Sequence, residues 1–368
     1  MKRNPRPSKT SLTRREFLRD STLAAAGVAA GLSAARAAAP AKPPLNFNES
    51  MEYRRLGKTG LMISSVCLGG HWKRLDMVIE GLFKGGSWLD MRLVNDPEFI
   101  RNRTEVVTHC IEAGINYIDA CTGPEVMAYA KALKGRRERM YLGYSWYEKE
   151  ARNAQWRSKD KLLQSLDEGL KESGLDYVDL WRITCHEQGG QHTFRESEEL
   201  IAALDTAKKQ GKARFTGVSS HDRNWLKMMI EQFPGQMDVV VTPYTAKSKV
   251  LPTDSLFDSV KKCDVGVFGI KPFAGNSLFK GNSAQNSPDA AEDDQRARLA
   301  IRHILCNPAL TAPIPGLINQ HQIDNVTTAV RERRQLDLAE QALLNRANAE
   351  AWAKLDADHQ WLKKWEFV

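Results

Sequence analysis

The chain has 368 residues, 27% charged and 42% apolar, enough for one large or two medium domains of an ordinary globular protein. Its net charge of +8 is concentrated: residues 1 to 37 carry eight basic and two acidic side chains, which accounts for six of the eight charges. The rest is close to neutral, which argues against a nucleic-acid-binding surface.

The first 37 residues read as an export leader. Arg14-Arg15 precede a weakly apolar Ala/Gly run from Thr22 to Ala35, followed by Ala35-Arg36-Ala37. Paired arginines before a modest hydrophobic stretch mark twin-arginine transport, with that export machinery as partner and a periplasmic or otherwise extracytoplasmic destination. The alternative is a disordered basic tail with an Ala-rich helix. No other stretch is apolar enough to cross a bilayer, so no membrane span is expected after cleavage. Residues 38–51 read as a linker and 52–368 as the folded body. The six cysteines, at 67, 110, 121, 185, 263 and 306, form no C-x-x-C pair. Their spacing predicts no metal cage, and buried free thiols are the simplest reading, with Cys121 and Cys185 near strand ends.

Along the body, Tyr53 to Ser64 predicts a β-hairpin around Gly57-Lys58-Thr59-Gly60, and 65–70 a strand ending in glycines. Residues 71 to 100 lack a period and read as a loop insertion. Helix 104–113 then leads to strand 115–120, helix 125–134 to strand 139–145, and helix 158–173 to strand 177–184. Helix 196–210 leads to strand 212–219, helix 222–232 to strand 237–242, and helix 254–263 to strand 265–270. Helix 291–305, strand 310–314 and helix 321–332 follow, with 338–354 additional. Eight apolar strands separated by amphipathic helices predict a parallel sheet closed as a (β/α)8 TIM barrel. No G-x-G-x-x-G follows an early strand, which disfavours an open doubly wound sheet. In such a barrel the C-terminal strand ends carry the chemistry. The stretch Gly114 to Ala120 delivers Asp119 there, before a turn at Gly123-Pro124.

These motifs resemble the aldo-keto reductase family. YRRLGKTGLMISSVCLGG is similar to its hairpin and first strand, GINYIDA to its second, ALKGRRERMYLG to its third and GLDYVDLWRI to its fourth. GKARFTGVSSHD is similar to the fifth, and PIPGLINQHQIDNV to the nucleotide loop. The resemblance covers roughly residues 52 to 332. It implies a barrel that binds NAD or NADP in extended form and transfers hydride to or from a carbonyl or sugar-like substrate. Asp119 matches the family aspartate, but Pro124, Ser145 and Thr184 stand where the tyrosine, lysine and histidine of the catalytic tetrad are expected.

Strand side chains alternate between faces, so Arg182 and His186 share the phase of Thr184. One reading turns Arg182 inward to pair with Asp119, in space left by Gly143 and Ser145; the other lets it snorkel outward. His186 is the candidate proton donor, or a loop histidine satisfying backbone groups. Tyr144, Tyr147 and His192 are weaker candidates. For the cofactor, the resemblance points to Ser219 at the carboxamide and Ser220 where asparagine is usual. Lys271, Gly275, Asn276 and Ser277 lie in the loop after the seventh strand, and Gly316, Asn319, Gln322 and Asn325 after the eighth. Neutral Asn319 and Gln322, where basic residues hold a 2′-phosphate in relatives, weaken NADP and make NAD plausible. Thr242 stands in place of a glutamine under the nicotinamide. Trp361, Trp365 and Phe367 either cover a pocket or pack. Two alternatives to a reductase remain: a barrel that binds a small ligand or protein without turnover, and a non-redox sugar-modifying enzyme that keeps a dinucleotide bound.

Overall fold

A computed structural model describes residues 43–250, 255–284 and 286–367. The expected twin-arginine leader and residues 38–42 of the expected linker lie outside the described residues, as does Asp254 at the start of the expected 254–263 helix. Among the described residues no helix is long and apolar enough to cross a membrane.

The hairpin pairs β1 (Tyr53–Arg55) with β2 (Met62–Ser64). The barrel strands are β3 (Leu68–Gly69), β4 (Tyr117–Ala120), β5 (Tyr141–Tyr144) and β6 (Val178–Thr184). They continue with β7 (Ala213–Ser219), β8 (Val239–Pro243), β9 (Gly266–Ile270) and β10 (Ala312–Ile314). All eight pair in parallel and in chain order. A bridge between Gly69 and Gly316, with the Cys67 N–H donating to the Pro313 carbonyl at 3.1 Å, closes β3 onto β10. The expected (β/α)8 barrel is therefore present.

Two apolar layers hold it. Inside, Tyr117, Leu180, Val239, Val241 and Phe268 pack together, and Leu56 and Ile63 of the hairpin stopper the N-terminal end. Outside, a larger layer fills the space between strands and helices. The helices are α1 (Pro97–Glu112), α2 (Gly123–Ala132), α3 (Lys159–Ser173), α4 (Phe194–Lys209) and α5 (Arg223–Gln232). After them come α6 (Leu256–Cys263), α7 (Ala290–Leu305), α8 (Gln320–Arg331) and α9 (Leu338–Ala353).

Two boundaries differ from expectation, both through helix-start chemistry. Asp96 caps the N–H groups of Glu98 and Phe99, so α1 begins at Pro97 inside the expected insertion rather than at 104. The Gly123-Pro124 pair is no free turn. Thr122 caps the Glu125 N–H and Pro124 sits in the first turn of α2, where its missing N–H costs nothing.

Candidate active site at the C-terminal end of the barrel

The C-terminal strand ends open into one cleft of about 990 Å³. Its floor is an ion pair. The Arg182 guanidinium donates from Nε to Asp119 Oδ1 at 2.8 Å and from Nη2 to Oδ2 at 2.5 Å. Both residues are buried, at 2% and 4% exposure. The Tyr117 hydroxyl donates to Asp119 Oδ1 at 3.2 Å. Gly143, register partner of Asp119, makes the room: a Cβ there would lie 1.9 Å from Tyr117 Oη and 2.9 Å from Asp119 Oδ1. Arg182 thus turns inward, as strand phase allows. Burial works against its charge, but the Asp119 carboxylate more than reverses that and holds its pKa well above the ordinary arginine value. A guanidinium so held orients and stabilises negative charge, and gives up no proton.

Ser145 and Thr184, at the positions where the resemblance expects the lysine and histidine, continue this network. Arg182 Nη1 donates to Thr184 Oγ1 at 3.1 Å, which lies 2.7 Å from Ser145 Oγ. Glu150 gathers the far end: it accepts from Ser145 Oγ at 2.5 Å, the Thr184 N–H at 2.7 Å and Trp181 Nε1 at 3.0 Å. Burial raises the Glu150 pKa despite these bonds.

The candidate donor His186 is not among the residues lining the cleft. Strand β6 ends at Thr184, so face alternation no longer carries to 186. Its Nδ1 accepts the Gln188 N–H at 3.1 Å. Its own N–H donates to His192 Nε2 at 3.0 Å, and burial pushes His192 down to about 4, so that ring is a neutral acceptor. Tyr144 is buried on the helix side, while Tyr147 lines the cleft with its pKa raised by burial. Cys121 also lines it, and burial pushes its thiol up to about 12. Cys185 is buried away from it.

On the cofactor side, Ser219, Lys271, Gly275, Asn276, Gly316, Asn319, Gln322 and Asn325 all line the cleft. Ser220 and Ser277 do not. Ser220, one residue out of phase with Ser219, donates its hydroxyl to the His186 carbonyl at 2.9 Å. The Ser277 N–H folds back to the Ala274 carbonyl at 3.2 Å. Thr242 is fully buried, in phase with the outward-packed Val240, and does not line the cleft. The loop after β9 runs through left-handed conformations at Lys271, Ala274, Gly275 and Asn276 (φ 58°, 49°, 66° and 72°). The N–H groups of Gly275 and Asn276 have no acceptor among the described residues. Arg74, from the 71–100 segment, clasps this loop by donating to the Gly281 carbonyl at 2.8 Å. At the other end Asn319 caps α8 through the Gln322 N–H at 2.9 Å, and Asn325 accepts from Arg298 at 2.6 Å.

Sequence reasoning did not single out several lining residues: His71, Arg74, Arg152, Glu187 and His221. Trp361 lines the cleft and stacks on His221, with ring centroids 4.3 Å apart at 18°. Burial drives His221 well below the ordinary histidine pKa, so it is neutral. Burial also lowers the Lys271 pKa. Glycines at strand ends were the available signal, since Gly70 has no room for a side chain: the Glu125 carboxyl carbon lies 2.1 Å from where its Cβ would be.

A closed parallel barrel with an elongated cleft across its C-terminal face, floored by charged groups and walled by glycine-rich loops, defines the architecture of a TIM-barrel protein with its site at the usual end. A model of the aldo/keto reductase family matches residues 100–298, and the chain belongs to that family. L-galactose dehydrogenase of Arabidopsis thaliana is 22% identical over 316 residues, covering 80% of this chain and 92% of the relative. A 6-dehydroglucose reductase of Novosphingobium aromaticivorans is 24% identical over 314 residues, covering 76% and 91%. Among solved structures, the holo form of an aldo-keto reductase from Bacillus halodurans superposes with a TM-score of 0.58 at 20% identity, covering 84% of this chain and 99% of that one.

Proposed function

We propose that this protein is a nicotinamide-dinucleotide-linked oxidoreductase that interconverts a carbonyl and a hydroxyl on a sugar-like substrate. The observation that carries this reading is the continuity of the cleft, from the Asp119–Arg182 pair to the N-terminus of α8. The donors present fit the cofactor. Unpartnered N–H groups at Gly275 and Asn276, in consecutive left-handed conformations, form a concavity suited to a pyrophosphate. Ser219 lines the cleft where the nicotinamide would lie, and Asn319, Gln322 and Asn325 line it where the adenosine would lie. When bound, the dinucleotide supplies or accepts the hydride.

The protein's own residues position the substrate and shape charge. Arg182, fixed by Asp119, is a permanent cation beneath the site where a carbonyl oxygen gains charge. Lys271 and Arg152 add cations, Glu187 an acceptor, and the Trp361–His221 stack a flat apolar face. Such a mixed polar and aromatic wall suits a polyhydroxylated ring, and two relatives carry the names of sugar oxidoreductases.

NAD is the better fit. The α8 cap residues are neutral and already bonded, and Asp293 and Asp294 line that end of the cleft. A 2′-phosphate there would face carboxylates rather than cations. Calorimetric titration of the purified protein tests both points. NADH is expected to bind at least about tenfold more tightly than NADPH, a difference of about 1.4 kcal/mol. No binding of either contradicts the proposal, and so does binding without turnover of any aldose or ketose in a panel. Export of the folded protein through the Arg14-Arg15 leader completes the reading. An exported protein that still begins with that leader would contradict it.

A further inference from the structure

Pro124 in the first turn of α2 and the mutually bonded Ser145 and Thr184 hydroxyls leave the positions expected for the tetrad without a free proton donor. The loop after β3 supplies one. His71 lines the cleft in a left-handed conformation, φ 56°, uncommon for a residue with a side chain. Glu125, in the first turn of α2, holds it: Oε1 accepts the His71 N–H at 2.5 Å and lies 2.8 Å from Nδ1. The other oxygen accepts the Cys121 N–H at 2.7 Å. Glu125 is fully buried. Burial alone would raise its pKa, but His71 and these N–H donors hold it below the ordinary glutamate value, so it is a carboxylate at neutral pH. The imidazole also packs on Trp88, centroids 4.9 Å apart.

A carboxylate behind Nδ1 fixes the ring and leaves Nε2 for the cleft. Polar side-chain atoms of His71, Cys121 and Glu125 lie within 4.8 Å of one another, and His71 and Cys121 line the same cleft as Asp119 and Arg182. The imidazole therefore faces the cleft that the Asp119–Arg182 pair floors. The same three residues have the composition of a metal site, but both Glu125 oxygens already accept N–H donors and Cys121 presents a neutral thiol.

Resting on the oxidoreductase reading above, we infer that His71, oriented by Glu125, is the catalytic proton donor and acceptor that replaces the displaced tyrosine. In reduction, hydride from a reduced nicotinamide dinucleotide adds to the carbonyl carbon and the C=O π pair moves onto oxygen. That oxygen takes the proton from Nε2 of the imidazolium, leaving neutral imidazole with Nδ1–H still donated to Glu125 and the dinucleotide oxidised. Oxidation runs the same path backwards. The charged and titratable groups around the ring are Glu125 on α2, Cys121 after β4, Arg182 and Asp119 on the floor, and Lys73 on its own loop, which pairs with Asp358 at 3.4 Å.

His71→Asn tests this, because asparagine tolerates the left-handed backbone. The variant is expected to bind NADH, read by tryptophan fluorescence, as the native protein does. Its kcat is expected to fall by about 10²–10⁴-fold, with imidazole in the medium restoring part of it. A readout independent of turnover is carbethoxylation of His71 by diethyl pyrocarbonate, mapped by peptide mass, which a bound alditol should slow. Native kcat in the variant overturns the inference, as does loss of NADH binding, absence of imidazole rescue, or inactivation of the native protein by chelators. A native protein that binds no dinucleotide instead sinks the oxidoreductase reading, and carbethoxylation unaffected by alditol then counts against His71 as well.

Discussion

At the scale of single residues, the floor of the cleft depends on each charge having its partner. Asp119 and Arg182 are both almost fully buried and joined by two hydrogen bonds. Removing one member leaves the other charged and desolvated, which costs far more than the net worth of the pair. Arg182→Met is therefore expected to lower unfolding free energy by about 3–5 kcal/mol, read from urea midpoints, with Asp119→Asn in the same chain recovering part of it. Arg182→Lys keeps the charge but loses the planar two-point contact, and should also fall short. The shared phase of Arg182 and Thr184 was legible because β6 runs without interruption to Thr184, so alternation holds, whereas the inward turn itself had an outward rival. His186 lies past the strand end, and its loop sets its direction. The His71–Glu125 contact joins residues 54 positions apart, with only Gly70 to hint that something large fills the space above it.

At the scale of the elements, strand and helix identities followed from apolar period, whereas boundaries followed from capping groups whose partners only the fold supplies. Asp179 on β6 shows how a strand end is secured. Its carboxylate lies 2.7 Å from both Arg137 and Arg214 and accepts the Leu142 N–H of β5 at 2.9 Å. Burial alone would raise its pKa, and the two arginines with that N–H hold it below the ordinary value. A depressed carboxylate stabilises the fold fully above its unfolded pKa of about 3.9 and ceases to as pH falls through the lower folded value. Asp179→Asn should thus be clearly less stable than the native protein at neutral pH. The gap should close only below about pH 4, in paired denaturation curves. A gap that widens on acidification would contradict the assignment.

At the scale of the whole molecule, the C-terminal segment belongs to the site. Trp361 lies on His221, Trp365 Nε1 donates to the His221 carbonyl at 3.0 Å, and His359 packs over Gly275. Sequence spacing favoured packing over a pocket role for these aromatics, because aromatic residues at helix spacing more often pack. Trp361→Ala is expected to raise KM for a sugar substrate about three- to tenfold while leaving NADH affinity in place, as loss of an aromatic face worth about 0.5–1.5 kcal/mol implies. Gly275→Ala would place a Cβ 2.3 Å from the His359 ring at φ 66°, so it should weaken NADH binding and loosen the segment together, measurable by calorimetry and limited proteolysis. The claim on which these effects converge is that this barrel, with Pro124, Ser145 and Thr184 at the positions expected for three tetrad residues, moves hydride. Incubation of the purified protein with reduced NAD deuterated at the transferable C4 position and a panel of keto-sugars, read by mass spectrometry, tests it most directly. The account predicts an alcohol product carrying one deuterium at the former carbonyl carbon. A bound dinucleotide that keeps its deuterium while every ketone is recovered unchanged would contradict it.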